Sequence, residues 1–393
     1  MEVKVSVHGT YKGGVIMDFS LNKEQLMIKQ TFRDVAEKEI LPIVDEYEEN
    51  EEFPEFLFPK LGELGYLGMT LPTEYGGMGA DTITFCLFAE EFGKVNSGIT
   101  SGFVVHSSVP VSAILQGGSE EQKKKYLSKA VSGESIFAIG ITEPNVGSDV
   151  ANIKTEAKSA ENNYILNGSK VWITNGGIAD YVVVAAREDG VSNLEGVQLF
   201  LVPTDTPGFQ VANRMKKHGI QTSDTSELVF DNCKVPKENK LGDKGFYNIL
   251  SSLTTGRIVV GARAVGVAEK AYELALNYSK QRYQFNKPIG KFQSIQHKLA
   301  RMRVEIDAAR LLVYKAAHLK DAGMEYSKEA SIAKLYASEM AVRVTNEALH
   351  IHGSYGYSRE YTVERLVRDA RIFTIGEGTS EIQLNIIAKR LGL

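Results

Sequence analysis

One carboxylate stands out by its neighbours. In the stretch RIFTIGEGTSEIQ, residues 371–383, Glu377 lies between Gly376 and Gly378. Glycines free the backbone and let other groups come close to an acid. Ser380 and Gln383 read as a capping box, which predicts a helix starting just after the acid. Free N–H groups and the positive end of the helix dipole would then face an anion. A catalytic base and a solvated loop acid both fit this stretch taken alone.

Three other constellations bear on chemistry. In AIGITEPNVGSD, residues 138–149, a strand ends in a Thr-Glu-Pro turn and runs into Asn145, Gly147 and Ser148. Such a loop can turn several N–H groups toward a phosphate, or be an ordinary strand-to-loop turn. In KVWITNGG, residues 170–177, strand alternation puts Val171 and Ile173 on one face and Trp172 and Thr174 on the other. The only tryptophan in the chain beside a hydroxyl could flank a flat heteroaromatic ring; the alternative is a half-buried strand. In RYQF, residues 282–285, followed by Gln293, Arg282 and Phe285 could clamp a pyrophosphate and stack on an adenine, or be a snorkelled arginine and a core aromatic. His350 and His352 have no third ligand at a metal-site spacing, so a metal centre is not expected. No nucleophile elbow is present, no cysteine sits in a protease-like context, and the GMG of residues 77–79 lacks a preceding strand and a third glycine.

These residues need elements to hold them. From Asn22 the pattern is helical, with Asn22 and Gln25 as a capping box and Ile28, Phe32 and Val35 on one face. Helical patterns alternate with Gly/Pro loops to about Gly133. From Phe137 to about Asp243, short β-branched runs separated by Asn, Gly, Asp and Pro read as an antiparallel β domain. Helices then return: Met302, Ile306, Ala309, Val313 and Ala316 are spaced for bundle packing, as are Ala333, Ala337, Met340 and Val344. The expected division is an extension or tag-like segment 1–16, a helical domain 17–136, a β domain 137–243 and a helical domain 244–393. The chain has 393 residues, 43% of them apolar, and a net charge of −4. It shows no basic block for nucleic acid and no apolar run long enough to span a membrane. Two cysteines, Cys86 and Cys233, fit a reducing compartment. With no secretory or transit pattern recognised, a cytoplasmic location is expected.

Taken together and in order, EYGGMGAD, ITEPNVGSD, KVWITNGG, ELVFDNCKVP, RYQF, HGSYGYSREYTVERLVRDARI and GEGTSEIQ resemble the acyl-CoA dehydrogenase family of flavoproteins. The resemblance covers nearly the whole chain from Met17. It implies an α+β multidomain fold: an N-terminal all-α domain, a middle antiparallel β-barrel domain and a C-terminal four-helix bundle, assembled as a homotetramer. It implies FAD as cofactor, an acyl-CoA substrate and electron transfer flavoprotein as acceptor. By the same resemblance, Glu377 is the base that removes the α-proton while hydride leaves to flavin N5. Arg257, with Thr254 nearby, matches the active-site arginine, and Gly378 and Ser148 would face the substrate. Ile141, Thr142, Ser148, Trp172 and Thr174 would line the flavin. Thr379, Ser380 and Glu381 would complete the site at the helix start. Arg282, Phe285, Gln293, His350 and Gly353 would hold the FAD of a neighbouring subunit.

The chain also departs from the pattern. Some relatives carry the base just before the active-site arginine, where this chain has Gly256. Many straight-chain members have Tyr before the catalytic Glu, where this chain has Gly376, which implies tolerance of a branched or cyclic acyl group. His350 stands where Gln is common. Glutaryl-type members use an arginine in the region matching Ile99–Val105, which holds none. Another flavin reaction on the same scaffold (desulfination or oxidation by O2) and a non-catalytic assembly homologue are the remaining alternatives.

Overall fold

A computed structural model describes residues 20–191 and 194–393; the segment 1–16 lies outside the described residues. The chain opens with α1 (Lys23–Glu39), α2 (Val44–Asn50), α3 (Leu57–Glu63), α4 (Thr82–Val95), α5 (Ser97–His106), α6 (Val109–Gly117) and α7 (Glu120–Ser132). The capping box forms as expected: the Gln25 amide donates to Asn22 Oδ1 at 2.8 Å, and Asn22 N to Gln25 Oε1 at 3.1 Å. Residues 97–117 are long and apolar enough to cross a membrane by composition, a run the sequence reading passed over. The stretch is 83% buried inside the protein, and it is split into α5 and α6 around Ser107 and Ser108, so it serves as core.

Strands β1 (Phe137–Gly140), β2 (Glu156–Ser159), β3 (Asn163–Thr174), β4 (Tyr181–Glu188), β5 (Val197–Pro203), β6 (Phe209–Arg214) and β7 (Thr225–Pro236) form one sheet in the order β1-β4-β2-β3-β7-β6, with β5 also on β4. The sheet is the half-barrel of the middle domain. One expectation changes here: it is mixed and not purely antiparallel, because β1 and β2 both run parallel to β4. Parallel neighbours need a crossover, and the long excursion from residue 141 to 180 supplies it.

The C-terminal part is built on α8 (Gly245–Gln281), a 37-residue helix packed against α4, α9 (Gln293–Asp321) and α10 (Ser327–His352). A short hairpin, β8 (Tyr283–Gln284) and β9 (Lys287–Pro288), follows α8, and α11 (Thr362–Ala370) and α12 (Ser380–Arg390) close the chain. All nine spaced residues singled out on α9 and α10 are buried.

The helical and β parts are joined by buried polar contacts. His106, at the end of α5, accepts a hydrogen bond from Phe137 N of β1 at 3.0 Å. Its Nε2 must then carry the proton, which it donates to Ala130 O of α7 at 2.9 Å. The two helical parts are joined in the same way: Glu90 of α4, 1% exposed, pairs with Lys29 of α1 and Arg310 of α9.

Candidate active site

The acid loop follows α11 and a short turn over residues 371–374. Glu377 has φ 52° and Gly378 φ 95°, two successive left-handed residues. At Gly378 a Cβ would also meet Gln383 Nε2 at 2.7 Å, so glycine is required there. Gly376 is different. Its φ is not left-handed, and a Cβ would find only ordinary contact, Ile372 O at 3.5 Å. The helix cap is Thr379, whose hydroxyl accepts from Ile382 N at 3.4 Å. Ser380 therefore begins the helix instead of capping it. Gln383 reaches back to the loop carbonyls, donating to Gly378 O at 3.0 Å and Glu377 O at 3.4 Å.

The Glu377 carboxylate lies on the bare backbone of α8. A Cβ built at Gly256 would sit 2.1 Å from Glu377 Oε2. Around it are three cations. Arg257 of α8 is 6% exposed, and its Nη1 donates to Thr254 Oγ1 at 3.4 Å. Arg263, one face of α8 further on, stacks its guanidinium 5.1 Å from the Phe373 ring. Lys334 of α10 is fully buried and donates to Gly378 O at 2.6 Å. Burial raises the Glu377 pKa above the usual carboxylate value, while Arg263, Arg257 and Lys334 oppose it. Burial also lowers Lys334 to about 8 and Arg263 to about 10. Glu377 Oε2 and Arg257 Nε are both shielded from solvent, with no hydrogen-bond partner among the described residues. A desolvated carboxylate with a free oxygen is chemically a proton acceptor.

A second group lies on the sheet. Strand β3 does not alternate through KVWIT. Its register against β7 shifts between Lys170 and Ile173, and Trp172 takes φ 63°. This bulge leaves the indole 58% exposed, with Val171 and Ile173 buried. Val171 N donates to Thr142 O at 2.9 Å, tying the bulge to the loop after β1. Ile141 is buried, Thr142 and Thr174 are half-buried and Ser148 is exposed. A Cβ on Gly147 would meet nothing within 4 Å. An exposed indole held in a strained conformation and an open loop beside it fit the flat ring and phosphates of a flavin nucleotide. Glu143, in the middle of that loop, has a structural task. Its carboxylate takes Lys154 N, Thr155 N and the buried Lys170 Nζ, each within 2.8 Å.

A third group lies at the far end of α8. RYQF is not helical: it forms the hairpin, with Phe285 (φ 51°) and Asn286 (φ 60°) in its two-residue turn. Phe285 is 87% exposed. The Arg282 guanidinium lies 5.5 Å from the Tyr355 ring, which brings the hairpin to the turn starting at Gly353. Gln293 opens α9, and His350 is an exposed residue of α10. His352 points the other way, stacked on Tyr278 at 4.3 Å. Among the described residues no cluster of His, Cys, Asp or Glu could hold a metal. From Arg257 to Arg282 is roughly 37 Å along the helix, so this group does not join the Glu377 site within one chain.

Lys334 and Arg263 escaped the sequence reading. The available signal was periodicity. Lys334 lies four residues after Ala330 and three before Ala337, on the apolar stripe of α10, where a lysine is out of place.

Family models for the N-terminal, middle and C-terminal domains of acyl-CoA dehydrogenase match residues 22–134, 138–233 and 243–392. A relative described as probable acyl-CoA dehydrogenase YngJ of Bacillus subtilis is 45% identical over 95% of this chain and 100% of its own. The structure of butyryl-CoA dehydrogenase from Megasphaera elsdenii superposes with a TM-score of 0.93 at 43% identity, covering 96% of this chain and 100% of that one. A chain in a structure described as the electron transferring flavoprotein of Acidaminococcus fermentans gives 0.93 at 42% identity, covering 95% and 99%. The chain belongs to the acyl-CoA dehydrogenase family. Members of this family are FAD-dependent oxidoreductases acting on CH–CH donors.

Proposed function

We propose that this protein dehydrogenates an acyl-CoA thioester between its α- and β-carbons to the trans-2-enoyl-CoA, with Glu377 as the base. The observation that carries the reading is the Glu377 carboxylate itself: desolvated, unpartnered at Oε2 and seated on Gly256, the position where some relatives carry the base. Its task is to take the α-proton onto Oε2. Burial against an apolar acyl chain keeps its proton affinity near that needed at neutral pH. Negative charge that develops on the thioester oxygen calls for donors, and the Glu377 backbone N–H, which lies outside the helix that starts at Ser380, would be one. Arg257 supplies positive charge beside the base. FAD, when bound, supplies the two-electron acceptor for the hydrogen leaving the β-carbon. The residues that would hold it are Ile141, Thr142, Ser148, Trp172, Thr174, Thr379, Ser380 and Glu381.

The acyl group is short or medium, with room for a branch or ring where Gly376 replaces a larger residue; the likeness to butyryl-CoA dehydrogenase supports the short end. The acceptor for the reduced flavin is an electron transfer flavoprotein, supported by the likeness to the Acidaminococcus fermentans structure. The length of α8 supports the assembly. Arg282, Phe285, Gln293, His350 and Gly353 serve the cofactor of another copy in a homotetramer, since Arg282 follows the helix roughly 37 Å beyond Arg257, too far to share one flavin with the Glu377 site.

The test is the visible spectrum of the purified protein, mixed anaerobically with straight, branched and cyclic acyl-CoA thioesters. Bleaching of an oxidised flavin band is expected. Glu377→Gln should keep the flavin and lose turnover by roughly 10²–10⁴-fold. Parental turnover in that variant would remove Glu377 as base. A yellow protein that no thioester bleaches points to other flavin chemistry on this scaffold. A colourless one that FAD cannot reconstitute points to a non-catalytic role.

A further inference from the structure

Lys334 is a fully buried lysine for which the proposed reaction has no use. Burying an ammonium costs several kcal/mol unless something nearby compensates. Among the described residues its Nζ makes one hydrogen bond, to Gly378 O at 2.6 Å, and no ion pair. The carbonyl it chooses is telling. Gly378 is the second of the two left-handed residues that place Glu377, and the same oxygen takes Gln383 Nε2 at 3.0 Å. Two donors, one from α10 and one from α12, therefore hold the carbonyl of the residue that follows the acid. Left-handed backbone at a non-glycine residue is strained and persists only where the surroundings impose it.

Resting on the reading of Glu377 as base, we propose that Lys334 is its positioning residue: by clamping the Gly378 carbonyl it holds the left-handed turn that seats the carboxylate on Gly256. Its charge has a second consequence. The charged groups facing Glu377 are Arg257 and Arg263 from α8 and Lys334 from α10. Lys334 in turn faces Glu381 of α12 and Glu339 of its own helix, and Tyr326 faces Arg257. An ammonium beside a carboxylate favours its ionised form, so removing Lys334 makes the base harder to ionise.

The test is the pH dependence of kcat/KM and of kcat for the FAD-loaded protein carrying Lys334→Met, Lys334→Gln or Lys334→Arg. Lys334→Met removes donor and charge at similar volume. It should lower kcat roughly 10–100-fold, as expected for a displaced catalytic group, with a smaller change in KM. The acidic limb of kcat/KM should move up by about one pH unit. Lys334→Gln keeps a donor, so it should recover part of kcat and leave the limb displaced; it also serves where the methionine variant fails to fold. Lys334→Arg should return the limb toward its parental place. A merely structural lysine would lower the melting temperature and leave the limb where it was, which overturns the proposal. Glu377→Gln is measured alongside. If it is inactive while Lys334→Met keeps parental kcat and limb, the clamp is wrong and the base stands. If Glu377→Gln is fully active, the base itself is wrong.

Discussion

The carboxylate of Glu377 has its place because residue 256 has no side chain. That contact sets a sharp expectation for Gly256→Ala. An added methyl would overlap Oε2, at 2.1 Å from the new carbon, and the carboxylate must move. A shift of about 1 Å in a catalytic group costs on the order of 10²-fold in rate, so kcat should fall by about that factor. KM and flavin content should stay near parental values, because the methyl touches neither Trp172 nor the β1 loop. Steady-state kinetics beside the flavin spectrum read both, and parental kcat would mean that the acid does not work from this position. At this scale the sequence was half legible. Glu377 announced itself through local neighbours, and Gly378 is required there for the reason that made it conspicuous. Gly376 looked equally necessary and is not. Gly256 and Lys334 touch the acid loop only through tertiary packing of α8 and α10, so no local pattern could connect them to it.

Strand β3 shows what an element does with a residue it cannot alternate. Alternation placed Trp172 and Thr174 on a common face; the bulge instead turns Trp172 to φ 63° and lifts its ring into solvent. A bulky residue is strained there, while glycine adopts that region at no steric cost. Trp172→Gly should therefore leave stability within about 1 kcal/mol of the parent, relief of strain offsetting the small buried part of the ring. The same change should strip the protein of much of its flavin if the indole is the wall of the cofactor site. Thermal unfolding of the flavin-free proteins and the visible absorbance of each as purified separate the two effects. A large loss of stability with flavin retained would assign the tryptophan to the fold. Local signals served best where one hydrogen-bonded turn decides the outcome, as at Asn22 and Gln25. They misled by one residue at Thr379, because Thr and Ser can both cap a helix and only the backbone decides between them. They gave no sign of the hairpin at RYQF, which depends on the turn at Phe285 and Asn286.

Across the whole molecule, the helical, β and helical order was written in the pattern of the apolar residues, which changes from helical spacing to short β-branched runs and back. The parallel placement of β1 and β2 against β4 was not, since pairing between distant segments leaves no periodic trace. The polar groups that join the parts were equally hidden, and two of them titrate in opposite senses. His106, holding α5, α7 and β1 together, is pushed down to about 4 by burial, from an ordinary 6.5. The unfolded chain binds that proton more readily, so stability is lost as pH falls from 6.5 to 4. Asp369, at the end of α11, accepts Ile220 N at 2.6 Å and is pushed up to about 6, from 3.8, first by burial and then by the Glu48 carboxylate, against Arg365 and Arg368. Here the folded protein binds the proton more readily, so stability is lost as pH rises from 3.8 to 6. Between pH 4 and 6 the two slopes oppose each other, each at most about 1.4 kcal/mol per pH unit, and the parent should show little net dependence from this pair. Asp369→Asn keeps an oxygen for Ile220 N and removes the ionisation. Relative to the parent, its advantage should grow by up to about 3 kcal/mol from pH 4 to pH 7, leaving the His106 slope exposed. Other carboxylates, such as Glu269, which Arg303 and Arg310 hold near 2 against burial, cancel in the comparison. Denaturant unfolding of both proteins across that range gives the difference directly, and a difference that does not change with pH would mean that Asp369 is charged in the folded protein throughout.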